Sequence, residues 1–305
     1  MNERETVKPA HRRIWSGLAS DDPAAEVGVL GVPFDGASSS RKGSARAPKR
    51  IREITPHFAA ATEEGVSLTG LRVRDYGDIY VDLNWERYFA AVEETAKAVL
   101  THPFSLFLGG DHSVTIPLMH AFSTAVPGEV GVVHIDAHLD LADTFDGHRW
   151  SHACTERRIL ELPNVQSGHL AVVGVRSFME DELAFLAEHR EIGLHTARDF
   201  HRLGATNVGE QVVHQLRDID AAYVTLDIDA LDPAFAPGTG TPEAGGLSTR
   251  DMLELLRVVF SGLPVGAMDI VEVSPPLDTS DITSNAAVKI IYETFGWVKD
   301  SIAKG

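Results

Sequence analysis

Short runs of β-branched and apolar residues alternate with amphipathic stretches along most of the chain. This is the pattern of a mostly parallel α/β sheet whose crossovers are helices. Strands are predicted at 27–32, 71–76, 104–109, 130–136, 170–175, 192–195, 222–227 and 265–271, and helices at 47–54, 85–100, 181–188, 207–217 and 249–260. No Pro/Ser/Gly-rich linker divides the chain, and the polar runs discussed below spread from about residue 109 to 278. A single domain over 1–305 is expected, with 1–24 as an amino-terminal extension.

Three runs break the apolar pattern with polar side chains at predicted strand ends. In His134-Ile135-Asp136-Ala137-His138-Leu139-Asp140 the period of two puts Asp136, His138 and Asp140 on one side, and Leu226-Asp227-Ile228-Asp229-Ala230 pairs Asp227 with Asp229. Phe107-Leu108-Gly109-Gly110-Asp111-His112-Ser113-Val114-Thr115 is an apolar strand, a glycine turn and a helix start, which places His112 at a strand's carboxyl end. Carboxylates gathered at strand ends repel one another unless a cation sits between them. Taken singly, an Asp or His at a strand end is more often a cap or a solvated loop residue than a ligand. Caps, however, do not require Asp-x-His-x-Asp inside an apolar run followed by a second Asp-x-Asp with the same flanks. His112, Asp136, His138, Asp140, Asp227 and Asp229 exceed the needs of one ion, whereas two ions sharing bridging carboxylates use all six. Two-metal sites activate water for hydrolysis. Oxygen-rich sites with some imidazole suit Mn²⁺, with Co²⁺, Ni²⁺, Fe²⁺ or Zn²⁺ compatible by geometry. His134 is in phase with Asp136 but one step further back, and is expected to be buried and hydrogen-bonded; Asp111 is expected to orient His112 or its neighbours.

Composition narrows the partners. A net charge of −17 argues against nucleic acid and anionic membranes, and two divalent ions would neutralise part of it. The sequence holds no stretch of eighteen apolar residues, and no hydrophobic core follows the polar start 1–13, so neither a membrane span nor a signal peptide is expected. A lone cysteine, Cys154, excludes an internal disulfide and fits a reducing cytoplasm.

With these residues in view, the chain resembles the ureohydrolase family, the arginase and agmatinase group, over nearly its whole length. The matching runs are Gly109-Gly110-Asp111-His112-Ser113, Asp136-Ala137-His138-Leu139-Asp140, Ser151-His152-Ala153-Cys154, Leu226-Asp227-Ile228-Asp229-Ala230-Leu231-Asp232-Pro233, Gly238-Thr239-Gly240-Thr241-Pro242-Glu243 and Glu272-Val273-Ser274-Pro275-Pro276. The resemblance implies a three-layer α/β/α fold with an eight-stranded parallel sheet, two Mn²⁺ ions, hydrolysis of a guanidino group to urea and an amine, and assembly as homotrimers or homohexamers. Carried over by motif, Asp136 and Asp227 bridge the metals, His112 and Asp140 complete one, and His138 and Asp229 complete the other. Glu272 grips the guanidinium, and His152 serves as proton shuttle to the leaving amine.

The same resemblance bears on substrate. Arginases carry an Asn two residues after the first run's last ligand, where this chain has Ala142, and an Asp three residues after the Arg of Gly-x-Arg, where it has Met179. Gly-Thr-Gly-Thr-Pro-Glu and Val-Glu-Val-Ser-Pro-Pro resemble agmatinases, so agmatine is the expected substrate. The alternatives are guanidinobutyrate, guanidinopropionate, guanidine, or a substituted guanidine or biguanide. An acidic substrate would call on a cation such as Arg41, Lys42, Arg149 or Arg176. The loop of Gly36-Ala37-Ser38-Ser39-Ser40-Arg41-Lys42-Gly43-Ser44 reads as a rim loop in which no catalytic residue is named.

Overall fold

A computed structural model describes residues 10–304. Its eight strands are β1 (Val27–Gly31), β2 (Val73–Asp78), β3 (Phe104–Leu108), β4 (Val130–Ile135), β5 (Leu170–Val173), β6 (Gly193–His195), β7 (Ala221–Asp227) and β8 (Val265–Val271). They form one sheet in the order β2-β1-β3-β8-β7-β4-β5-β6, and every pairing is parallel. Parallel pairing requires crossovers, which are supplied by α1 (Ala47–Ile54), α2 (Trp85–Val99), α3 (Thr115–Ala125), α4 (Thr155–Ile159), α5 (Glu180–Glu188), α6 (Ala197–Leu203), α7 (Ala205–Gln215) and α8 (Thr249–Gly262), with α9 (Ile282–Lys304) closing the chain. The central strands are buried on both faces, so they read as continuous apolar runs rather than as alternation.

Two apolar cores flank the sheet. One joins Val133 and Ile135 of β4 to α1, α7, α8 and α9, and the other joins Val130 and Val132 to α2 and α3, giving an α/β/α sandwich. α3, α4, α6 and α9 fall outside the predicted helices. In α9, Ala286, Ala287, Val288, Ile290 and Ile291 are all buried, which leaves no polar stripe for a 3.6-residue period to reveal. Each of its fully buried Val, Ile and Phe side chains contributes about 2 kcal/mol of transfer free energy. The expected extension 1–24 lies partly outside the described residues. Within it Trp15 is fully buried beside Phe295 and donates its indole N–H to Asp75 at 2.8 Å. Among the described residues no helix is long and apolar enough to cross a membrane.

Candidate functional site

In a parallel sheet all carboxyl ends share one edge, and the four central neighbours β3, β8, β7 and β4 deliver the predicted residues there. His112 follows the turn after β3, Glu272 follows β8, Asp227 ends β7 with Asp229 just beyond, and Asp136, His138 and Asp140 follow β4. The β3 turn needs Gly110 because a Cβ there would stand 1.7 Å from the Phe34 carbonyl oxygen. Asp140 and Glu272 have φ of 52° and 59°, a left-handed conformation that costs a non-glycine residue about 1 kcal/mol or more. Backbone bonds hold both: Asp140 O accepts from Arg157 N at 3.2 Å, and Glu272 N donates to Gly110 O at 2.8 Å.

The six expected ligands converge in two adjoining nests. His112 Nδ1 lies 3.0 Å from Asp136 Oδ2, 3.1 Å from Asp140 Oδ2 and 3.4 Å from Asp227 Oδ2. His138 Nδ1 lies 3.2 Å from Asp136 Oδ1 and 3.3 Å from Asp229 Oδ2. Asp136 thus turns one oxygen to each nest. The other nitrogen of His112, Nε2, is 2.8 Å from Thr225 Oγ1, which itself donates to Asp269 at 2.7 Å. Thr225 must therefore accept from Nε2–H, leaving the Nδ1 lone pair aimed at three carboxylates. His112 Nδ1 and Asp136 Oδ2 are both buried without a hydrogen-bond partner. Acceptors facing acceptors at this spacing are what a small cation requires, because bonds of about 2.1 Å at right angles separate neighbouring ligands by about 3 Å. The residues fit two divalent cations, whose charge would balance the carboxylates of Asp136, Asp140, Asp227 and Asp229.

Titration of the metal-free site tells the same story. Burial favours neutral His112, yet Asp136, Asp140 and Asp227 hold its proton well above the ordinary imidazole range. A proton there stands where a metal would. Burial disfavours charge on Asp136 too, but His112 and His138 keep it ionised far below the usual carboxylate range. Asp227 and Asp229 are pushed up, by burial first and then by their acidic neighbours.

The surroundings fix these groups. Asp269 accepts from Thr225, from Thr115 at 2.8 Å and from Tyr223 at 2.9 Å, locking the hydroxyl that orients His112. Arg176 donates to the carbonyls of Gly174, Asp229 and Glu243, so it clamps the turn bearing Asp229. His134 is fully buried, with Nε2 donating to His138 O at 3.2 Å and Nδ1 3.0 Å from Glu156 Oε1. Although it stacks 5.1 Å from His112 and stands 3.4 Å from Asp136, its Nε2 is taken by the His138 carbonyl, while its Nδ1 faces the Glu156 carboxylate without a well-formed hydrogen bond. Burial opposes a charge on His134, but Glu156 raises its pKa to about 9. Asp111 accepts from Ala37 N at 2.8 Å and from Ser113 N, next to His112, at 3.1 Å, tying the rim loop to the site.

Next to the nests opens a cleft of about 160 Å³, lined by His138, Asp140 and Asp227 together with Ser39, His152, Thr241, Phe145, Phe178, Met179 and Glu182. His152 Nδ1 lies 3.1 Å from Glu272 Oε1, which also accepts from His112 N at 3.0 Å. Burial lowers His152, but Glu272 outweighs it and the pKa rises to about 9. Glu182 caps α5 by accepting from Met179 N at 2.9 Å, and it accepts from Leu141 N at 3.0 Å; burial raises it to about 7. Ala142 is buried, its N–H donated to Ala153 O at 3.1 Å, whereas Met179 faces the cleft. Of the cations considered for an acidic substrate, Arg149 pairs outward with Glu161, and Arg41 and Arg176 bind backbone carbonyls. Neither they nor Lys42 line the cleft. A second cleft of about 200 Å³, lined by residues including Thr62, Arg250, Glu254 and Arg257, contains the ion pairs Arg250–Glu63 and Arg257–Glu254 and holds none of the expected residues.

The model of the arginase family matches residues 25–296. The mitochondrial arginase 1 of Arabidopsis thaliana is 36% identical over 96% of this chain and 85% of its own length, and an agmatinase of Bacillus anthracis is 34% identical over 90% and 92%. Among solved structures, the proclavaminate amidino hydrolase of Streptomyces clavuligerus superposes with a TM-score of 0.84 at 31% identity, covering 91% of this chain and 94% of that one.

Proposed function

Because the chain belongs to the arginase family, a group of ureohydrolases, we propose that it cleaves a guanidino group to urea and an amine, with agmatine as substrate and putrescine as the amine. The observation that carries this reading is the pair of ligand nests sharing Asp136 beside a cleft that holds His152. His112 and Asp140 would complete one metal position and His138 and Asp229 the other, with Asp136 and Asp227 common to both. Two divalent ions there, Mn²⁺ by donor set and Ni²⁺ or Co²⁺ as substitutes, supply the positive charge that makes water a nucleophile near neutral pH. Glu272 anchors one oxygen on His112 N and His152, leaving Oε2 to orient the planar guanidinium through a charge-assisted bond of about 2 kcal/mol. His152 handles the proton that the leaving nitrogen requires.

A substrate carboxylate would enter a cleft lined by no Lys or Arg, which disfavours arginine, guanidinobutyrate and guanidinopropionate. The acidic field of a −17 chain favours a cationic substrate instead. A second reading, a guanidine bearing an apolar substituent, is favoured by Phe145, Phe178 and Met179 on the wall. Assembly as a homotrimer or homohexamer in the cytoplasm completes the proposal. The test is urea release from Mn²⁺-loaded and Ni²⁺-loaded protein against agmatine, arginine, the two guanidino acids, guanidine, alkylguanidines and biguanides. Preference for agmatine is expected; preference for an alkylguanidine moves the substrate to the second reading. No urea from any of them overturns both.

A further inference from the structure

The rim loop carries a group that the ligand and shuttle assignments leave without a role. Ser39 addresses His152 twice: its hydroxyl lies 2.8 Å from Nε2, and its backbone N–H donates to the same nitrogen at 3.2 Å. A backbone N–H can only donate, so Nε2 must present its lone pair, and the imidazole proton sits on Nδ1 facing Glu272 Oε1. The result is a continuous Ser39–His152–Glu272 chain. Its outer end is in the cleft, where Ser39 and His152 both line the space a substrate would fill. The loop is held in this pose by Ala37 N donating to Asp111, Gly43 N donating to Asp35 at 2.9 Å, and Arg41 donating to the carbonyls of Thr239 and Gly240.

We propose that Ser39 is the proton relay between His152 and the reacting guanidino group. This rests on the ureohydrolase reading above and assigns one step within it. As the attacking water's oxygen bonds to the guanidino carbon, it gives up a proton that Ser39 Oγ accepts while passing its own to His152 Nε2. When the C–N bond breaks, its electron pair stays on the leaving nitrogen, which takes the Oγ proton as Oγ recovers one from Nε2. Ser39 starts and ends as a hydroxyl and His152 as the neutral Nδ1–H tautomer, the form that prevails above its pKa of about 9; the water's second proton, left on the oxygen bonded to carbon, passes to the released amine, so one water and one guanidinium give one urea and one alkylammonium. Between the two transfers Nε2–H faces the Ser39 backbone N–H, donor against donor, which favours prompt return of the proton.

The test combines Ser39→Ala and Ser39→Thr with kinetics, metal analysis and ¹⁵N spectra of the imidazole in Mg²⁺-loaded protein, His152 being assigned by its loss in His152→Asn. S39A is expected to lower kcat about tenfold or more, with KM and metal content unchanged and an altered pH profile, while S39T restores kcat to within about threefold of wild type. The wild-type spectrum, recorded above the His152 pKa of about 9, is expected to place the remaining proton on Nδ1. A wild type that turns over with the proton on Nε2, an S39A with wild-type kcat, or an S39T as slow as S39A each overturns the relay alone. A wild type that releases no urea from any guanidine overturns the functional reading and the relay with it.

Discussion

Replacing Asp136 with Asn tests the shared ligand. The substitution keeps volume and retains an oxygen for the His138 backbone N–H, which Asp136 Oδ1 now accepts at 2.6 Å. It removes the charge that faces both nests, and turns an amide donor toward one of them. A unit charge at contact distance with effective dielectric near 20 is worth about 4 kcal/mol against a monovalent cation, so at least about 4 kcal/mol of metal affinity disappears. That is about a thousandfold in Kd. Metal content after gel filtration should fall from two per chain to one or none, competition with a fluorescent chelator should show the weakened affinity, and urea release should drop by orders of magnitude while the far-UV spectrum stays native. A D136N protein that keeps two tightly held ions and full turnover would refute the bridging assignment, and the reasoning from oxygen directions with it.

Two further outcomes follow from the same geometry. His152→Asn should slow turnover about a hundredfold with metal content near two per chain, as for loss of a general acid–base group; loss of metal would make His152 a ligand instead. Metal-free protein should lose stability as pH rises. Asp111 and Glu182 are raised to about 7, chiefly by burial, so the stability they contribute is full below the unfolded carboxylate range near 4 and is lost on passing about 7. The Tm of chelator-treated protein should be lower at pH 8 than at pH 5, with Glu182→Gln flattening the slope; a Tm that rises over this interval would contradict the sign.

The sheet and the clustering of these acidic and imidazole residues are legible in the sequence for a shared reason. Buried parallel strands are short apolar runs, and polar residues at their ends interrupt those runs at a fixed spacing, so Asp136, His138 and Asp140 stand out locally. What escapes is either uniform or remote. α3 and α9 are apolar on most sides and carry no period to detect. Ser39 sits among three serines, and what distinguishes it is a contact 113 residues away. The buried partnership of His134 with Glu156 is equally invisible along the chain. Arg41 and Arg176 read as free cations, whereas the fold commits them to backbone carbonyls that no local pattern reveals.

The strand order has a consequence for how the molecule comes into being. β8 is the last strand to leave the ribosome, yet it lies between β3 and β7, so the growing sheet keeps a gap at its centre until residue 271 is available. The residues flanking that gap are the ones that carry His112 on one side and Asp227 on the other. Until β8 enters, the strand that leads to His112 stands apart from β4 and β7, whose ends carry the other five proposed ligands, so the nest around His112 stays incomplete. Long-range closure of this kind is slow and leaves apolar edges exposed while it waits. Completion of that nest is therefore a late event, dependent on the strand that enters the sheet last.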